Sequence, residues 1–283
     1  MKKNNIKNEF KKNGFYVLRN FFHKKKLDKL KNKIKSIIKN DKYYLPIKNI
    51  SLYSENSNLL KGPNGNLKVN LDKIETAKGL DNISKKSNSI SIRDPLINVK
   101  ELNDIVFSDK LFKVASLVLG SSKIKLGYIK LGIFFNNKLP KNCINYFHTD
   151  DLSKKIKKFN EVCKFAFTLS NNSYSKNEFG ILPIKKNKLK FYKQYFKESN
   201  LEKKLQKKLV YPYIKLGDVV LFDPNNFFHV ANKPKKKLRI VFYVEFLGPN
   251  NKNLFNNVKI ENSIFKKLDP KKKKLCNHYQ LIK

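Results

Sequence analysis

The chain has 283 residues, 40% of them hydrophobic with 22 Phe and 13 Tyr, enough for a packed core and against disorder over most of its length. That length suits one large domain or two small ones. The net charge of +40 does not imply a specific nucleic-acid partner, because the lysines run the whole length and only three of the 62 basic residues are arginine, the residue such modules use on base edges and phosphates.

An attraction to anionic substrates or anionic membrane surfaces stays open. Met1-Lys2-Lys3 is followed by Asn4, Asn5, Lys7 and Asn8 instead of an apolar run, so no signal peptide is expected. Gly14 to Leu18 predicts a short strand. Leu27, Leu30, Ile34, Ile37 and Ile38 then recur at helical spacing with lysines between them, which predicts an amphipathic helix. Residues 54–88 hold Ser, Asn, Gly and Lys with the turn signal Gly62-Pro63-Asn64-Gly65, and predict a long loop. Ile90 and Ile92 mark a strand ending at Arg93-Asp94-Pro95. Ser108 or Asp109 can cap a helix carrying Leu111, Val114, Ala115 and Val118, closed by Gly120.

From there the pattern turns to β. Strands are expected over 123–135, 144–150, 161–169, 179–184, 209–215, 218–223, 227–231 and 237–247. Residues 189–208 predict a lysine-rich helix with Tyr192, Tyr195, Phe196, Leu201 and Leu205, either a packing helix or a lid. Residues 251–283 form a polar C-terminal extension with a lysine run at Lys271–Lys274. No stretch approaches the roughly 20 apolar residues of a membrane span. Cys143, Cys163 and Cys276 are odd in number and widely spaced, which fits a reducing, cytoplasmic compartment better than a disulfide framework. The expected fold is mainly β with flanking α-helices: a jelly-roll core over 121–250 behind a helical part over 1–120, making one domain of 1–250.

Chemistry concentrates at His148-Thr149-Asp150, His229 and Arg239. His148 and Asp150 are two apart, so in a strand both side chains point to one face, and Thr149 to the other. Two imidazoles and one carboxylate can occupy one face of a non-haem iron(II) ion and leave three positions open. Arg239 opens the run Arg239-Ile240-Val241-Phe242-Tyr243-Val244-Glu245, with Arg239, Val241 and Tyr243 on one face. An arginine in so apolar a strand needs an anionic partner. A bound dicarboxylate would supply it through two parallel hydrogen bonds, which lysine cannot match. Each residue also has a plain structural alternative. His148 can be a core histidine satisfied by Asp150, His229 can end a strand, and Arg239 can pair with Glu245. HxD alone is a weak signal; its order with Gly217-Asp218, His229 and Arg239 is far more specific. Asp151 is the alternative ligand if the register slips by one. Arg93 can bind substrate or form an ion pair, and His23 and His278 read as surface residues.

Over roughly residues 9–247 the chain resembles the phytanoyl-CoA dioxygenase family of iron(II)/2-oxoglutarate oxygenases. The likeness runs through Phe10 to Leu18, Phe147-His148-Thr149-Asp150, and Gly217-Asp218-Val219-Val220-Leu221-Phe222-Asp223 to His229 and Arg239. Asn177 to Ile184 looks like the family's proline segment, but Ile184-Lys185-Lys186 stand where the family has Gly-Ser-His. Ala231 stands where a small hydroxylated residue is common. The resemblance implies a double-stranded β-helix in which His148, Asp150 and His229 hold Fe(II). It implies that Arg239 meets the distal carboxylate of 2-oxoglutarate; Asn136 is either a second contact to that co-substrate, as polar residues near there are in relatives, or a turn residue in Asn136-Asn137-Lys138. With O2, a substrate C–H bond would be hydroxylated, giving succinate and CO2. Asp150 argues against halogenation, since related halogenases have Ala or Gly there. A small-molecule, acyl or glycan-linked substrate is expected, chosen by loops 54–88 and 171–208. A jelly-roll binding protein without turnover, or a basic nucleic-acid-binding protein, are the competing functions.

Overall fold

The structure, a computed structural model, describes residues 3–39, 50–54, 67–68, 89–92, 95–136, 147–150, 161–169, 179–189, 195–232, 238–251 and 258–283. Helix α1 (Lys3–Asn13) leads into strand β1 (Phe15–Leu18) and helix α2 (Lys24–Lys39). The short strands β2 (Ile50–Ser54), β3 (Leu67–Lys68) and β4 (Ser89–Ile92) precede helix α3 (Asp109–Leu119). The β-rich part comprises β5 (Lys125–Phe135), β6 (Phe147–His148), β7 (Val162–Thr168), β8 (Phe179–Lys185), β9 (Tyr195–Phe196), β10 (Val219–Phe222), β11 (Phe227–Ala231) and β12 (Leu238–Leu247). Strand β13 (Lys259–Glu261), helices α4 (Asn262–Lys267) and α5 (Pro270–Leu275), and strand β14 (Gln280–Ile282) close the chain.

Two sheets face each other. The larger has the order β1-β10-β7-β12-β5-β4-β2-β3 and the smaller β8-β11-β6-β9, with antiparallel pairing throughout both. Alternation along β12 divides the interior. Ile240, Phe242, Val244 and Phe246 pack outward with Leu27, Leu30 and Ile34 of α2 and Leu111 and Val118 of α3 in one large apolar cluster. Val241 packs inward between the sheets with Phe134, Ala166, Val220, Phe222 and Phe227. The far side of the small sheet is covered separately. Phe147, Leu182, Phe228 and Val230 meet Leu201 and Leu205 there.

Helix α1 lies in the helical part expected over 1–120, although no helix is expected at its own position. Among its residues with described burial, Ile6 and Phe10 are the buried ones, and Lys and Asn fill the turns around them. The α3 boundaries follow the sequence signals, with Ser108 at the N-cap and Gly120 left-handed at φ +70, but the Ser108 side chain makes no capping bond. Three expectations about elements need correction. The helix over 189–208 is absent among the described residues: Tyr195–Phe196 pairs as β9, a 3-10 turn spans Glu198–Asn200, and only Lys203–Gln206 is α-helical. Lysine density imitates an amphipathic pattern there, while Phe196 and Leu201 are drawn down onto the small sheet. The strand over 209–215 reduces to one bridge, Val210 with Ile181. The region over 54–88 is in part extended, since β2 pairs with β3 and β4; its other residues lie outside those described, as do Arg93 and Asp94.

The C-terminal segment is polar in composition yet anchored by a few apolar residues. Val258, Ile260, Leu275, Cys276 and Tyr279 join the large cluster, and Tyr279 Oη donates to the Gly127 carbonyl at 2.7 Å. His278 is not the surface residue expected. It is half-buried edge-on against Tyr279, and burial lowers its pKa. Among the described residues no helix is long and apolar enough to cross a membrane.

Candidate metal centre

The order β10, turn, β11 delivers His229. Gly217 at φ +101 turns the chain into β10. Asp218 then pins that turn by accepting from the backbone N–H groups of Asn20 (2.9 Å) and Lys215 (3.0 Å) and from Arg19 Nη1 (2.7 Å). Burial raises the Asp218 pKa, but these bonds outweigh it and hold the carboxyl below its usual value. At the other end Asp223 accepts from the backbone N–H groups of Asn225 (3.1 Å) and Asn226 (3.0 Å), closing the bend into β11. Gly14 lets that bend pack tightly. A Cβ at Gly14 would lie 2.2 Å from the Phe227 ring, and its φ of +78 suits only glycine well.

Parity then sorts β11. Phe227, His229 and Ala231 face the space between the sheets, while Phe228 and Val230 face away. His148 is the direct cross-strand partner of His229, and the two rings lie 4.5 Å apart by centroid. Asp150 follows two residues later on the same side, and its backbone N–H donates to the Pro224 carbonyl at 2.8 Å. The bend that delivers His229 therefore also holds Asp150. Thr149, between them in sequence, is buried.

One ligand atom from each of His148, Asp150 and His229 lies within 4.8 Å of the others. Asp150 Oδ1 is 3.7 Å from His148 Nε2 and 3.6 Å from His229 Nε2. His229 Nδ1 contacts the Phe227 carbonyl at 3.4 Å, which fixes the ring with Nε2 toward the carboxylate. Two imidazole nitrogens and one carboxylate oxygen at this spacing fit a divalent ion that prefers N and O donors.

The electrostatics suit a cation. Burial, and after it His148, pushes the His229 pKa down to about 3, so its imidazole is neutral at physiological pH. Burial would raise the Asp150 carboxyl, but Lys164, His229 and His148 hold it far below the carboxylate range. The sign of the pH effect follows. Between pH 6.5 and about 3 the unfolded chain protonates His229 while the folded metal-free protein does not. The histidine's contribution is therefore complete above pH 6.5 and lost as pH falls. Metal-free wild type should lose stability relative to His229→Gln on acidification from pH 7 to 5, by up to about 1.4 kcal/mol per pH unit, read by urea unfolding. A difference that does not change with pH would contradict a neutral, buried His229.

Arg239 is buried on the same inward face, with its guanidinium 4.6 Å from the Phe134 ring centroid. It lines a small pocket with Ala166, Ile214, Val220, Ala231 and Tyr243. A single cation in an otherwise apolar lining suits one end of a small anion. Glu245, the structural alternative for Arg239, pairs with Lys164 at 3.3 Å. Asn136 is exposed just beyond the end of β5 and is not among the residues lining this pocket. Asp151 lies outside the described residues, and His23 is exposed as expected.

Sequence reasoning missed Lys130 and Lys164, and named Glu245 only as a partner for Arg239; the three stand on the inward faces of β5, β7 and β12. Burial, then Lys164, lowers the Lys130 pKa to about 8. Burial would lower Lys164 as well, but Asp150 and Glu245 outweigh it and raise its pKa. The signal was present: each is a charge inside an apolar strand, and Glu245 shares the parity of Arg239.

No protein-family model and no curated protein matches the sequence. Solved structures do match. The epimerase SnoN, in complex with Fe3+, alpha ketoglutarate and nogalamycin RO, superposes with TM-score 0.57 at 7% identity, over 87% of this chain and 83% of its own. HygX from Streptomyces hygroscopicus, with nickel and 2-oxoglutarate bound, gives 0.56 at 10% identity over 90% of each chain. The apoform of EctD from S. alaskensis gives 0.54 at 15% identity, over 85% of this chain and 75% of its own. The chain shares their fold. It is a double-stranded β-helix with flanking helices, as expected from the sequence. The two facing sheets of that fold carry His148, Asp150, His229 and Arg239 on their inner faces.

Proposed function

We propose that the protein is an iron(II)/2-oxoglutarate-dependent oxygenase acting on a C–H bond of a small molecule. The observation that carries this is the convergence of His148 Nε2, His229 Nε2 and Asp150 Oδ1 on one point inside a double-stranded β-helix. The fold neighbours, whose names include iron, nickel and 2-oxoglutarate, support it. In this proposal His148, Asp150 and His229 hold the iron, and Arg239 binds the distal carboxylate of 2-oxoglutarate as a planar fork. Iron held there, with 2-oxoglutarate and O2, would supply oxidative C–H chemistry, with succinate and CO2 as co-products. The residues of this chain contribute placement and dryness. The Phe227 carbonyl orients His229, and Ala166, Val220 and Val241 keep water from the co-substrate.

Within this class, membership of the phytanoyl-CoA dioxygenase family and hydroxylation as the outcome are the finer proposals. They rest on the residues from Phe147 to Asp150 and from Gly217 to Arg239. Asn136, past the end of β5, would have to reach the co-substrate from the rim. Buried, free Cys163 and Cys276 are consistent with a reducing cytoplasm. The test is succinate release by purified protein with Fe(II), 2-oxoglutarate and O2, first alone and then across panels of acyl, glycan-linked and other small metabolites. Succinate above the metal-free control is expected, and rises with the right substrate. No succinate from protein shown to bind iron would favour a jelly-roll binding protein instead.

A further inference from the structure

A charge pair lies between the triad and the large sheet, and the proposed function leaves it unused. Lys164 sits in the middle of β7 with its Nζ between two carboxylates. It donates to Asp150 Oδ2 and lies 3.3 Å from Glu245 Oε2. The lysine side chain is 12% exposed and that of Glu245 7%, so neither is a solvated surface charge. Their meeting follows from the pairing of β12 with β7, in which Glu245 and Lys164 are direct partners. Gly127 makes room for the carboxylate on the other side. A Cβ there would lie 2.8 Å from Glu245 Oε1. A backbone hydrogen bond from Tyr128 holds Glu245 further.

Glu245 is thus fixed by the sheet, and Lys164 is fixed by Glu245. Asp150 has less support of its own. It lies beyond the two-residue strand β6, and about a third of its side chain is exposed. Its backbone is tied to Pro224, but that bond does not set the rotation of the carboxylate. The ammonium does, by occupying Oδ2 and leaving Oδ1 facing both imidazoles.

We propose that Lys164, backed by Glu245, is a positioning residue that presents Asp150 to the metal through one oxygen. This rests on the triad being a metal centre. With Oδ2 engaged, the carboxylate fills one coordination position instead of two, leaving the others for incoming ligands. Glu245 offsets the lysine charge, so the ammonium orients Asp150 without adding net positive charge beside a divalent ion. The pair acts through Asp150 and has no contact with substrate in this scheme.

Cobalt(II) tests this without turnover, because its affinity and visible absorption report the ligand set directly. The full chain would be titrated calorimetrically as wild type, His229→Ala, Lys164→Met, Lys164→Arg and the double variant Lys164→Met/Glu245→Gln. The double variant removes both charges together and leaves neither buried alone, so it keeps the fold if the single variant does not. Lys164→Met and the double variant should bind cobalt(II) about 10- to 100-fold more weakly, the range for lost support of a metal ligand. The absorption of their bound cobalt should also change, because Asp150 is free to chelate through both oxygens. Lys164→Arg, which keeps a charged donor, should restore most of the affinity and the wild-type spectrum. A folded double variant with wild-type affinity and spectrum overturns the role of Lys164, while loss in His229→Ala keeps the metal assignment. Wild type that binds no cobalt(II), or binds it regardless of His229, overturns the metal assignment itself.

Discussion

Alanine at His229 should remove specific iron(II) binding and, with it, succinate formation from 2-oxoglutarate. One of three protein ligands is lost, and the other two cannot replace it. His148 approaches from β6 and Asp150 from just beyond it, whereas His229 alone comes from β11. Losing an outer-shell partner weakens metal binding about 10- to 100-fold, so losing a ligand should exceed about 100-fold. His148→Ala should behave alike. The measurement is iron content after anaerobic loading, with succinate release assayed in parallel. It also separates the plain alternative. A core histidine that merely packs against Phe222, 4.9 Å away by centroid, would lower the unfolding free energy on truncation and leave metal content as it was. His229→Gln, which keeps most of the volume, should retain the fold and still lose iron. Unchanged succinate formation in either histidine variant would sink the assignment.

Much of this site was legible because it rests on period two. The two-residue spacing of His148 and Asp150 and the alternation of β12 are properties of the sequence itself; β12 keeps its alternation, and Asp150, just past the end of β6, still turns a carboxylate oxygen toward His148. The two bends that aim β10 and β11 carry their own signals, Gly217-Asp218 and Pro224-Asn225-Asn226, and in the structure the Asp218 and Asp223 carboxylates accept the backbone N–H groups that close them. The misreadings have one physical source. Where lysine is the commonest polar residue and falls at every spacing, helical and extended segments look alike. The helix expected over 189–208 was lysine spacing around Phe196, Leu201 and Leu205, residues that tertiary packing draws onto the small sheet. Lysine abundance also hid Lys164. In a composition with few lysines, a charge inside Val162-Cys163-Lys164-Phe165-Ala166-Phe167 would have stood out. Here its partner Glu245 was the better clue. Cross-strand pairing, which brings Lys164 and Glu245 together, depends on which strands are neighbours, and that is not written in either strand alone.

Arginine shows the opposite case, since its rarity made it informative, and its second-largest expected effect follows from that. Arg19 grips Asp218 and the Tyr213 carbonyl from a half-exposed position, so its work is structural. Arg239 is only 2% exposed and shares its pocket with apolar side chains. Lysine could keep the charge at 239 but not the pair of parallel donors. Losing one charge-assisted hydrogen bond to a carboxylate costs about 1.5–3 kcal/mol, which is roughly 10- to 150-fold in affinity. Arg239→Lys should therefore raise the dissociation constant for 2-oxoglutarate by that factor and leave iron binding near wild type, since the three ligands are untouched. Ala231, which offers no hydroxyl at the position two beyond His229, leaves the arginine with a larger share of the carboxylate's binding, so the upper part of the range is expected. Calorimetric titration of 2-oxoglutarate into anaerobic, iron-loaded protein measures it, with Arg19→Lys as the control that should leave the affinity unchanged. Equal affinity in wild type and Arg239→Lys would mean that the pocket beside Val241 and Tyr243 does not hold the co-substrate.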